Sequence, residues 1–160
     1  MASLTSAAAT SSSGETKQSG NTVTSIEELV DGNPMTILNA FNNHIIEFFD
    51  DVVIIFPNNT DVFLARSSLI AMRKINPKLI IKMWKEYIFD KYNDEIMKGN
   101  IDFFIKKDYA DDLKYTANSN TILEKISTLR DPINQMGTEN TNKTIKYIQN
   151  LSKLSNIYYT

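Results

Sequence analysis

Four prolines constrain this chain more than any other feature, because each stands where a helix is expected to start or stop. The pyrrolidine ring fixes φ and removes the backbone N–H. Proline is therefore tolerated in the first turn of a helix but costs about 3 kcal/mol in its interior. Asn33-Pro34, Phe56-Pro57, Asn76-Pro77 and Asp131-Pro132 divide the sequence into windows whose apolar periodicity can be read one at a time.

Between the first two prolines, Leu38, Phe41, Ile45, Phe48, Phe49, Val52, Ile55 and Phe56 form one stripe at helical spacing, with Asn39, Asn43, Glu47, Asp50 and Asp51 opposite. Asn33 is the expected N-cap and Pro34 the first helical residue; only Val52 to Phe56 reads equally well as strand. Asn58-Asn59-Thr60 turns and caps the chain, and a second helix over about 61–75 turns Val62, Leu64, Ala65, Leu69, Met72 and Ile75 inward. A third, over about 77–92, is apolar around more than half its circumference through Leu79, Ile80, Ile81, Met83, Trp84, Tyr87 and Ile88, and so belongs between neighbours. A break is expected near Asn93 and an end at Gly99.

Residues 100–120 are less regular, and Phe103, Phe104 and Tyr109 suggest short helical turns. Thr121 and Glu124 have capping-box spacing ahead of Ile122, Leu123, Ile126 and Leu129, and Asp131-Pro132 is expected to restart the chain into a short helix ending at Gly137. A last helix from about Thr141 uses Ile145, Ile148, Leu151 or Ser152, and Ile157. Upstream, residues 1–24 are mostly Ser, Thr, Ala and Gly, with too little apolar area to offset the entropy of ordering, and read as a flexible arm. Ser25 and Glu28 make another capping box, with Gly32 as its stop. The sequence thus predicts an all-α fold: a compact multi-helix domain over 25–160 behind a mobile N-terminal arm.

Composition removes several function classes. The 160 residues include no cysteine, which excludes disulfides, thiolate catalysis and cysteine-ligated metal. A net charge of −2 gives no global attraction to nucleic acid or anionic membranes. The N-terminus lacks the basic and apolar regions of a secretory signal, and the apolar run at Ile45 to Phe56 is too short and too acidic to span a bilayer, so an intracellular protein without a membrane span is expected. The N-x-Ser/Thr triplets at Asn58, Asn142 and Asn150 then have no route to glycosylation.

Residues with chemical potential read more simply as structural. His44, the single histidine, flanks the apolar stripe without an assignable nucleophile or carboxylate partner. The doublets Asp50-Asp51, Asp94-Glu95 and Asp111-Asp112 point their members about 100° apart on a helix, and Asp108 suits an N-cap. The glycines form neither a phosphate loop nor a dinucleotide fingerprint. No catalytic, cofactor-binding or metal-binding residue is assigned, and no cofactor is expected. The one electrostatic feature runs from Arg66 to Lys98, with eight basic against four acidic residues; Arg73, Lys74, Lys78, Lys82 and Lys85 are its candidate interaction face.

Phe48 and Phe49, Phe56-Pro57, Arg73 and Lys74, Asn76-Pro77-Lys78, Trp84, Tyr87, Tyr92, Phe103-Phe104 and Lys107-Asp108-Tyr109, set in an Asn/Ile/Lys/Tyr-rich sequence, resemble small helical proteins of large nucleocytoplasmic DNA viruses over residues 40–112. The resemblance implies a virion-associated or minor capsid component, or a protein of the infected cytoplasm, and carries over no catalytic residue. The leading expectation is a non-enzymatic structural or interaction protein that packs between protein subunits, its arm threading among them. The alternative is a nucleic-acid-associated regulator using the basic face. An enzyme with dispersed acidic residues comes third.

Overall fold

The computed structural model describes residues 32–160; the arm and the helix expected at Ser25 lie outside them. Within the described residues the chain is helical throughout, with no strand. Helix α1 is Pro34–Ile55, and Asn33 caps it as expected: its Oδ1 accepts a bond from Met35 N at 2.7 Å. The ambiguous run from Val52 is therefore helical to Ile55. Helix α2, Thr60–Ile75, is capped by Asn59, whose side chain accepts from Val62 N at 3.1 Å. After the Asn76-Pro77 turn come α3, Leu79–Trp84, a π-helical turn, Lys85–Phe89, and α4, Asp90–Lys98. The later elements are α5, Ile101–Lys106; α6, Ala110–Leu113; α7, Ser119–Asn134; and α8, Thr138–Tyr158.

Three boundaries differ from expectation. The break foreseen near Asn93 does not occur; the helix instead absorbs one wide turn at Lys85–Phe89, where Asp90 N–H reaches back to Lys85 O, and continues to Gly99. At φ +70° Gly99 ends α4, its N–H donating to Ile96 O at 3.0 Å, and Gln149 Nε2 of α8 donates to the same carbonyl at 3.1 Å. The second difference is at Pro132, which restarts nothing: it sits inside the last turn of α7, which stops two residues later. Thr121 caps nothing either, since α7 begins at Ser119 behind Asn118 in a left-handed conformation. Gly137, at φ +85°, is the true boundary before α8.

The core forms where α1 meets α8. The two run in opposite senses: Ile37, Leu38 and Phe41 cluster with Leu151 and Leu154, while Asp51, further along α1, accepts a bond from Tyr147 Oη, earlier on α8, at 2.6 Å. Ser152 and Ser155 are fully buried on α8, and side chains this small let the helices approach closely. Ile80 and Ile81 of α3 close the cluster from a third side. Asn42, also fully buried, donates to Pro77 O at 2.9 Å and ties α1 to the turn between α2 and α3. The central placement read for α3 is thus correct for Ile80 and Ile81, but Met83 and Tyr87 are exposed. On α2, Val62 is buried as expected, whereas Leu64 and Ile75 face solvent.

Helices α5, α6 and α7 contain no fully buried residue, although each carries the apolar side chains the sequence indicated. This difference in packing predicts a difference in energetics. Phe41, at 0 % exposure, should lose about 3–5 kcal/mol on truncation to Ala, and half-buried Phe104 distinctly less, as read by urea unfolding followed by far-UV circular dichroism. Equal losses would show that the second layer packs as tightly as the first.

Candidate functional site

The half-buried side chains of α5, α6 and α7 face a cavity of about 460 Å³ whose walls are almost entirely apolar. Its floor is the C-terminal half of α1, through Phe48, Phe49 and Val52. One wall is Ile88, Tyr92 and Ile96, which the wide turn and α4 present. The roof is Phe104, Ile122, Ile126, Leu129 and Ile133. Water is a poor filling, because each buried molecule needs two to four polar partners.

The polar atoms along this cavity are gathered in one group. Tyr92 Oη donates to Asp112 Oδ2, and Lys107 Nζ lies 3.4 Å from the same oxygen. Lys91 Nζ donates to the Asp112 carbonyl at 3.3 Å. The Tyr92 and Tyr109 rings meet edge to face at 6.2 Å, with Lys107 Nζ within 6 Å of both. Arg130 spans Tyr109 at 5.9 Å and donates through Nη2 to Lys107 O, but its Nε is buried and meets no acceptor among the described residues. Burial, reinforced by the bond to Asp112, raises the Tyr92 pKa; burial also raises that of Tyr109 against the opposing pull of Arg130. The bond from Tyr92, followed by Lys107, lowers the Asp112 pKa. At neutral pH the group is therefore two neutral phenols, one carboxylate already engaged, and three cations.

The five residues of the candidate basic face are not equivalent. Lys82 lies 3.9 Å from Glu86, a weak exposed pair, and Lys85 is drawn inward beside the wide turn, where it pairs with Asp90 and lies over the Phe89 ring at 5.0 Å. Arg73, Lys74 and Lys78 meet no carboxylate at ion-pair distance among the described residues. The neighbouring Trp84 is a core residue: its Nε1 donates to Ser152 Oγ at 3.0 Å and its ring meets Phe41 at 6.0 Å.

The acidic doublets are also separated in space. Asp50 pairs with Arg66, Asp51 accepts from Tyr147, and Asp108 Oδ1 accepts from Ala110 N at 3.0 Å, a turn-capping bond. No group of three or more His, Asp or Glu residues converges among the described residues. Arg130 escaped the sequence reading and Lys107 entered it only within the resemblance, yet a signal existed: Arg130 follows Ile126 by four residues and falls within the apolar stripe of α7, where a charge requires an explanation.

His44 rests against the Tyr147 ring at 4.8 Å, and burial lowers its pKa from 6.5 despite Glu47 at 3.9 Å. Above that value both folded and unfolded chains hold a neutral imidazole. As pH falls through it, the unfolded chain binds a proton that the folded one resists, so stability should decline. Melting temperature should therefore fall between about pH 7.5 and about pH 5.5 in the wild type and less in His44→Gln; parallel slopes would remove His44 as the cause. Glu47, whose pKa burial and then Asp51 and Asp50 raise, acts in the opposite sense at lower pH. No protein-family model, curated protein or solved structure matches this chain.

Proposed function

We propose that this chain is a non-enzymatic interaction protein whose helical body docks on other protein subunits, as a virion-associated or minor capsid component of the kind its sequence resembles. The observation that carries this reading is an apolar edge. Ile54, 75 % exposed, Phe63 and Leu64 flank the turn between α1 and α2. Burying one such side chain in a partner releases about 1.5–3 kcal/mol, enough for a few of them to anchor an interface. No helix among the described residues is long and apolar enough to cross a membrane, so the edge does not belong to a helical membrane span. Ile54→Asp combined with Phe63→Asp should abolish co-sedimentation with the assembled particle while leaving the melting temperature of the free protein within a few degrees. Retained co-sedimentation would sink the reading.

The second reading, a nucleic-acid-associated regulator, is favoured by the unengaged charges of Arg73, Lys74 and Lys78. It is weakened by Trp84, which is committed to Ser152 and unavailable for base stacking. Three phosphate contacts are few, so no binding to duplex or single-stranded DNA is expected at physiological salt. Sub-micromolar, salt-sensitive binding lost in the combined Gln variant of those residues would place this reading first.

A further inference from the structure

We infer that the cavity beneath α5, α6 and α7 is a binding site for a single-chain amphiphile with an anionic head, such as a fatty carboxylate. The inference is independent of the docking edge. Its apolar part follows from volume and lining. About 460 Å³ falls in the range of small-molecule sites, roughly 300–1,000 Å³, and suits one acyl chain rather than a two-tailed lipid. Phe48, Phe104, Ile122, Ile126 and Ile133 offer the tail dispersion contacts that water cannot match.

The head follows from the polar group. Lys91, Arg130, Tyr92, Tyr109 and Asp112 all line the cavity, and Lys107 adjoins them. Asp112 is occupied by Tyr92 and Lys107, so it repels an incoming anion less than a free carboxylate would. Arg130 lines the cavity and meets no carboxylate at ion-pair distance among the described residues, and a half-buried unpaired charge calls for a counter-charge. A carboxylate there would accept from Arg130, with the Lys91 ammonium in the same polar group, giving charge-assisted bonds at the head and apolar burial along the tail. A neutral alcohol would gain only the second term. A partner helix would fill the apolar space but leave Arg130 without a counter-charge.

The test uses the full chain titrated with palmitate and, separately, hexadecanol below their aggregation limits, with stoichiometry read by native mass spectrometry and affinity by calorimetry. Expected are saturable one-to-one binding and an affinity for palmitate at least about tenfold above that for hexadecanol. Arg130→Gln should remove most of that preference and leave hexadecanol binding unchanged; Lys91→Gln serves if the first variant does not fold. Ile126→Trp, with circular dichroism as the check on folding and Leu129→Trp in reserve, should abolish binding of both by filling the cavity. Absence of saturable binding, equal affinity for the two compounds, or indifference to the tryptophan variants would each overturn the proposal, the last by showing adsorption to the outer surface.

Discussion

The core depends on one polar contact made by the Trp84 indole. Trp84 is the last residue of α3, it bonds across to Ser152 on α8, and its ring edge meets Phe41 on α1. A tryptophan buries a large apolar area but requires an acceptor for its one N–H, so it fits only where a small polar residue faces it. Ser152 meets that need without holding the helices apart. Three helices are thereby linked at one point, where Trp84, itself partly buried, packs against the cluster of Ile37, Leu38, Ile81 and Leu151.

The wide turn follows directly. One extra residue in a helical turn rotates everything beyond it relative to the stripe before. Before the turn Ile80 and Ile81 are buried against α1 and α8; from Trp84 onward Tyr87, Ile88, Tyr92 and Ile96 also line the cavity under α5, α6 and α7. A helix with regular periodicity throughout would direct both halves to one face. The irregularity thus joins a close-packed layer to a hollow one, and Lys85 is drawn into its pair with Asp90 at that junction.

Much of the architecture was legible because its signals are local. Asn33-Pro34, Asn59 and Gly99 act through cap and turn chemistry within a few residues, and the structure places their boundaries where the sequence does. Pro132 and Thr121 misled for a related reason: a proline in a final turn and a cap residue one turn inside a helix look the same in sequence as at a start. The wide turn has no local signature, since π geometry is chosen by what the flanking residues must touch in three dimensions. The hollow layer was illegible too. Ile122, Ile126 and Leu129 have a core periodicity, and periodicity reports which way a side chain faces, not whether anything fills the space it faces. The cavity therefore leaves no trace in the pattern, whereas the candidate basic face is visible in sequence even though Lys82 and Lys85 within it are already paired.

Helices α5, α6 and α7 hold no fully buried side chain, and this sets how the molecule comes apart as well as how it is built. Segments with few buried contacts open at a small fraction of the global unfolding energy, as cooperative units of their own. The α5–α7 segment should therefore open at lower cost than α1, α3 and α8, which hold the buried cluster. Amide protons in that segment would exchange through this partial opening, and those around Phe41 and Leu151 only when the whole domain unfolds. Whatever occupies the interior would hold the segment down and bring the two exchange regimes together.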